Sequence, residues 1–167
     1  MITDNAILAF ECIHALQEGP SNAGSFCAYK LDLMEAYDRV SWTYLEEALR
    51  KMGFSDKWIN WVMVCVKTVQ YSIRFNGKLL KSFKPSRGLW QGDPLSPYLF
   101  LFVGEGLSAL LHDQIRLGNM LDLKICRRSP GISHLLFADD SLLFFKANAD
   151  QAMKVNDVLR TYERGTG

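Results

Sequence analysis

Three acidic positions offer the first chemistry in this sequence: Asp32, at the end of an apolar run from Phe26 to Leu33, and the adjacent Asp139 and Asp140. Leu135-Leu136-Phe137 precedes the acidic pair and Leu142-Leu143-Phe144-Phe145 follows it, which puts two like charges at the tip of an apolar hairpin. Two unit charges about 4 Å apart repel by roughly 4 kcal/mol at an effective dielectric near 20. Solvent, a basic partner or a divalent cation can offset that cost. Taken alone, Asp139-Asp140 reads as an exposed acidic turn. Asp32 poses the same choice, because an acid closing a buried strand is costly unless it is paired or ligating. Lys30, two residues back on the same strand face, is a ready salt-bridge partner. Asp38-Arg39 reads as a surface or capping pair.

A second group lies at Gln91-Gly92-Asp93-Pro94-Leu95-Ser96-Pro97. A glycine where backbone can be approached closely, an amide beside it and a capped helix behind suit a nucleotide resting on backbone and glutamine. A plain helix-capping loop is the alternative. Between them, Arg74, Lys78, Lys81, Lys84 and Arg87 form a basic run without an acid, interleaved with Phe75 and Phe83. Such a run can track a phosphate backbone, or it can be a solvated edge hairpin protected by lysines.

These residues need elements to position them. The 167 residues suit one domain with a sizeable core, and 49% hydrophobic with 22% charged residues is ordinary for a globular chain. The net charge of +1 provides no global basic field. Cys12, Cys27, Cys65 and Cys126 are scattered without a C-x-x-C pair, so reduced thiols are expected rather than a disulfide framework or a zinc site. No secretory signal or membrane span is read, and the expected setting is soluble and intracellular.

Periodicity predicts a helix from Asp4 to about Gln17, broken by the Gly19 to Ser25 stretch, then the strand ending on Asp32. Helices follow over about Trp42 to Met52 and Asp56 to Val69, capped by Ser41 and Ser55. Asn76-Gly77 marks a hairpin between Tyr71–Phe75 and Lys78–Phe83. Ser96 is expected to cap a helix to about Leu111, with Pro97 at its first position, and the apolar start of that helix predicts complete burial. A hairpin around Ala138 to Ser141 and a helix over about Asp150 to Glu163 complete an α+β order. It corresponds to most of a split β-α-β, ferredoxin-like sheet without its last strand.

In this order and spacing, the motifs resemble the reverse transcriptases of plant non-LTR (LINE-type) retrotransposons. The run Lys30 to Val40 looks like the family's first palm motif, Arg87 to Phe100 like its second, and Phe137 to Asp140 like its third. Ile2 to Asn5 and the helix after it resemble the segment that precedes the palm.

The resemblance implies a polymerase palm with flanking helices and RNA-directed DNA polymerase activity, by two-metal transfer from dNTP to a primer 3′-hydroxyl. Asp32, Asp139 and Asp140 would be catalytic and, with the carbonyl of Leu33, would hold two Mg²⁺ ions, Mn²⁺ being an alternative. Strand alternation ranks Asp139 as the partner of Asp32, with Asp140 assisting. Tyr37 would lie under the incoming sugar and exclude a 2′-hydroxyl; Gln91 and Gly92 would contact the nucleotide and the template-side base pair. The partners implied are an RNA template, a DNA primer and dNTP, with no membrane.

Against the family pattern, Glu35 and Trp90 stand where basic residues are usual. Residues 1–25 would be the end of the fingers and 26–167 the palm, truncated at both ends, with the fingers incomplete and the thumb absent. The alternative is a catalytically inactive retrotransposon remnant with weak nucleic-acid binding; a group II intron maturase-like protein shares the same palm logic.

Overall fold

In a computed structural model of the chain, residues 2–18, 26–33, 35–126, 128–137 and 140–167 are described. The elements are α1 (Ile2–Glu18), β1 (Phe26–Asp32), α2 (Ala36–Arg39), α3 (Trp42–Lys51), α4 (Asp56–Lys67), β2 (Arg74–Phe75), β3 (Lys78–Leu79), α5 (Ser96–Arg116), β4 (His134–Phe137), β5 (Asp140–Lys146) and α6 (Ala149–Thr166). The predicted break at 19–25 lies outside the described residues. Two compact units divide the chain: residues 1–35 with 104–164, and residues 36–103 with 165–167.

The first unit is built on an antiparallel sheet of order β1-β5-β4. That order, with the later hairpin strand inserted beside the first strand, is the one a split β-α-β arrangement requires. Alternation along the strands sorts side chains to two faces. Phe26, Leu135, Phe137, Leu142 and Phe144 share one face, and all five belong to a core with Ala9, Cys12, Leu8 and Leu16 of α1. Leu123, Ile125 and Ile132 close that core, held by a bridge in which Leu123 and Ile132 exchange two backbone hydrogen bonds of 2.9 and 2.8 Å. On the opposite face Gly104 of α5 comes within contact of Leu136, where an added Cβ would lie 3.4 Å from its side chain. Val155, Val158 and Tyr162 form the buried stripe of α6 at helical spacing.

In the second unit, local signals do most of the work. The Ser41 and Ser55 hydroxyls accept from the amides of Tyr44 and Trp58, so both expected caps form. Leu45 and Leu49 of α3 and Ile59, Val62 and Met63 of α4 are buried. Phe54 links the two helices, stacking on Trp58 at 4.4 Å and meeting Phe102 edge-on at 5.3 Å. Asn76 and Gly77 both take positive φ (46° and 77°), the left-handed pair a two-residue hairpin turn needs.

Two expectations for α5 are corrected. Ser96 is not its cap: the helix already includes Ser96, Leu95 accepts the bond from Leu99, and Asp93 Oδ1 accepts from the Leu95 amide at 2.8 Å. Asp93 turns the chain into the helix from three residues before Ser96, as a short acceptor side chain can. Nor is the start of α5 wholly buried, since Tyr98 and Leu101 are 66% and 63% exposed while Leu99, Phe100 and Val103 are covered. A helix packed on one side leaves the residues about 100° round the axis outside the core, whatever their polarity. Among the described residues no helix is long and apolar enough to cross a membrane.

Candidate functional site

The strand register makes the first connection. β1 runs antiparallel to β5 with Asp32 directly opposite Asp140 and Lys30 opposite Leu142. Directly paired residues project to the same face, with Cβ atoms about 4.5–5.5 Å apart, so the two carboxyl groups are neighbours at one end of the sheet. β5 begins at Asp140. Asp140 is therefore a strand residue fixed by pairing. Asp139 lies outside the described residues.

Lys30 Nζ sits 2.9 Å from Asp140 Oδ1, with side chains 64% and 49% exposed. Lys30, expected to pair with Asp32, reaches instead diagonally across the strands to Asp140. Asp32 is exposed and, among the described residues, its carboxylate forms no ion pair. Among the described residues no three His, Cys, Asp or Glu side chains form a group able to hold a metal. Leu33 follows Asp32 as partly buried coil, and Glu35 then takes φ 55°. A side chain in that left-handed region costs about 1–2 kcal/mol, so the turn leaving the carboxylate strand is strained.

In the second unit, the end of the first motif is joined to the start of the second. The Gly88 amide donates to Val40 O at 2.8 Å, the Leu89 amide to Tyr37 O at 2.7 Å, and the Trp42 indole to Gly88 O at 2.8 Å. Gly88 is required twice over. Its φ is +91°, and a Cβ there would lie 2.7 Å from Asp38 O. The Tyr37 ring stacks on Phe100 with centroids 4.5 Å apart. Gln91 and Gly92 follow on an exposed turn. Gly92 has φ +102° with open space where a Cβ would go, so its backbone is accessible to something outside the chain. Arg74, Lys78, Lys81, Lys84 and Arg87 are all exposed, on and after the β2–β3 hairpin.

One feature has no sequence signature. His134 of β4 is bridged by two hydroxyls, Ser133 Oγ at 2.8 Å from Nδ1 and Ser108 Oγ of α5 at 2.9 Å from Nε2. The His112 ring is 5.2 Å away. Burial, and then the proximity of His112, depress the His134 pKa to about 4. A neutral imidazole therefore ties the strand leading to Asp139-Asp140 onto α5. Ser108 and His134 are too far apart in the chain for spacing to suggest the contact.

The antiparallel sheet of order β1-β5-β4 thus sets an acid of its first strand opposite an acid at the head of its central strand. Residues 3–165 match the family described as "Reverse transcriptase (RNA-dependent DNA polymerase)", and the chain belongs to that family. It is 32% identical over 120 residues to the retrovirus-related Pol polyprotein from type-1 retrotransposable element R2 of Popillia japonica, covering 72% of this chain and 19% of that one. The corresponding protein of the type-2 element R2DM of Drosophila melanogaster is 31% identical over 116 residues, covering 68% and 10%. An uncharacterized mitochondrial protein of Arabidopsis thaliana is 53% identical over 57 residues, 34% of this chain and 47% of that one. The resemblance to non-LTR retrotransposon reverse transcriptases, read from the three motifs, is borne out. The chain spans from a tenth to just under half of the length of these relatives. Among solved structures, apo telomerase from Candida tropicalis truncated from its C-terminal domain superposes with a TM-score of 0.62 at 16% identity, covering 97% of this chain and 32% of that one. That likeness is one of fold, and it supports the palm expected from the sequence.

Proposed function

We propose that this chain carries the palm of an RNA-directed DNA polymerase, which transfers a nucleotide from dNTP to a primer 3′-hydroxyl opposite an RNA template. The observation that carries this reading is the direct pairing of Asp32 with Asp140 on one sheet face. Reverse transcriptases as a family work with divalent metal, and the donor set here fits one. Its oxygens are hard, carboxylate and exposed, and the Lys30 ammonium at Asp140 is in keeping with positive charge at this spot. Asp32, Asp140 and Asp139, with the carbonyl of Leu33, would hold two Mg²⁺ or Mn²⁺ ions. Bound there, the metals would acidify the primer hydroxyl and neutralise charge on the departing pyrophosphate.

The chain's own residues supply position. Tyr37, braced by Phe100 and by the Leu89 hydrogen bond, would lie under the sugar and exclude a 2′-hydroxyl. Gln91 and the open backbone of Gly92 would meet the nucleotide and the template-side base pair. Arg74, Lys78, Lys81, Lys84 and Arg87 would run along a nucleic-acid backbone. Residues 1–25 would correspond to the end of the fingers and 26–167 to the palm.

Primer extension on an RNA template with Mg²⁺ or Mn²⁺ tests this. Asp32→Asn and Asp139→Ala should each lower synthesis by about 10²–10³-fold or more, the scale set by losing a charge-stabilising group. Tyr37→Ala should admit ribonucleotides. Extension that survives both Asp substitutions would show that these carboxylates do not carry the synthesis, and none by any of the proteins would leave an inactive retrotransposon remnant with weak nucleic-acid binding.

A further inference from the structure

The stretch from Lys57 to Gly92 contains seven basic residues and no acid, in a chain whose net charge is only +1. The remainder therefore holds 12 basic against 18 acidic residues and is net negative. Two of the seven are engaged: Lys67 with Glu46 at 3.2 Å, and Lys57 over the Trp61 ring at 5.1 Å. Among the described residues the other five, Arg74, Lys78, Lys81, Lys84 and Arg87, form no ion pair. An unpaired, exposed cluster of one sign attracts a polyanion.

Beside these cations stands an aromatic group. Tyr71 and Phe83 exchange backbone hydrogen bonds of 2.9 Å in each direction, and their rings lie 5.8 Å apart. Trp90 meets Tyr71 edge-on at 6.3 Å. The outer two rings stay open to solvent, Phe83 at 50% and Trp90 at 52% exposure. Lys81 and Lys84 flank Phe83, and Arg87 precedes Trp90 by three residues. Large rings left half-exposed and flanked along the chain by cations, with the carboxylates of Asp38 and Asp93 near Tyr71 behind them, meet the two needs of an unpaired nucleic-acid strand: a face for the base and a cation for the phosphate. A duplex keeps its base faces stacked inside and cannot use the rings. An acidic peptide can use the cations but brings no flat partner for the rings.

We propose that Phe83 and Trp90, propped by Tyr71 and bordered by Lys81, Lys84 and Arg87, form a base-stacking platform for single-stranded nucleic acid. Trp90 is then a gain rather than a loss, replacing a cationic contact by stacking immediately before Gln91. The proposal rests on the polymerase reading for the strand it serves, the unpaired template, but its test requires no synthesis.

Binding of the whole chain is measured by fluorescence anisotropy to a labelled single-stranded RNA, to an abasic strand of equal length and charge, to the duplex and to polyglutamate. The base-bearing strand should bind tighter than the abasic strand, the duplex and polyglutamate. Trp90→Leu should cost about 5- to 150-fold for the base-bearing strand, the range for losing one stacked base, while leaving the abasic strand unchanged. Phe83→Leu should act likewise. Lys81→Gln should preserve the preference for bases and reduce the slope of log affinity against log salt by about 0.7. Equal binding of base-bearing and abasic strands, or Trp90→Leu and Phe83→Leu proteins that melt normally and keep the preference, would overturn the platform. So would tighter binding of polyglutamate than RNA. Loss of the platform leaves the carboxylate test of polymerisation standing, and an inactive chain can still show the platform.

Discussion

Replacing Lys30 with Gln removes the ammonium that pairs with Asp140 and leaves the strand pairing in place. With Asp32 directly opposite Asp140, carboxylate charges about 5 Å apart would repel by roughly 3 kcal/mol at an effective dielectric near 20. The Lys30–Asp140 pair is 64% and 49% exposed, and solvent screening reduces its net worth to about 1 kcal/mol or less. Lys30→Gln should therefore lower Tm by about 2–4 °C in chelator at low salt. A divalent ion at the carboxylates reverses the balance, because in the parent it must displace the ammonium and in the variant it need not. At ten times its Kd such an ion contributes about 1.4 kcal/mol. The Mg²⁺-dependent rise in Tm, compared with NaCl of equal ionic strength, should thus be larger in Lys30→Gln than in the parent. It should vanish in the Lys30→Gln, Asp32→Asn double variant. Circular-dichroism melts in chelator and in Mg²⁺ make the comparison. A variant that gains no more from Mg²⁺ than the parent, or a double variant that gains as much, would refute a metal site built on Asp32 and Asp140.

The His134 pKa of about 4 lies below its ordinary 6.5, so the unfolded chain binds the proton more readily. Stability is complete above about pH 6.5 and is lost as pH falls toward 4, by at most about 3 kcal/mol; urea unfolding across that range should show it, and His134→Gln should flatten the profile. Gly88→Ala should destabilise by more than about 2 kcal/mol, since both its φ and the Asp38 carbonyl oppose a Cβ. Gly92→Ala meets open space and should cost only about 1–2 kcal/mol for its φ, with a larger loss in primer extension than in Tm; equal damage from the two substitutions would show that Gly92 has no exposed role.

The sequence alone determined what depends on near neighbours. Ser41 and Ser55 each cap a helix through an amide three residues on, and Asn76-Gly77 closes its hairpin because both residues accept positive φ. The family was legible too, since Lys30–Val40, Arg87–Phe100 and Phe137–Asp140 carry its motifs as uninterrupted strings. Only the tertiary structure decided which atoms meet across long stretches of chain. Asp32 faces Asp140 because a register fixes it, and a shift of one residue would have sent every side chain to the other face. Lys30 reaches Asp140 for the same reason. His134 is neutral because burial, and then His112 of α5, disfavour its charged form, while Ser108 of the same helix holds its ring, and Tyr98 and Leu101 remain exposed because a helix buries one side. Local propensity acts over a few residues, whereas packing chooses among faces that local propensity leaves equivalent.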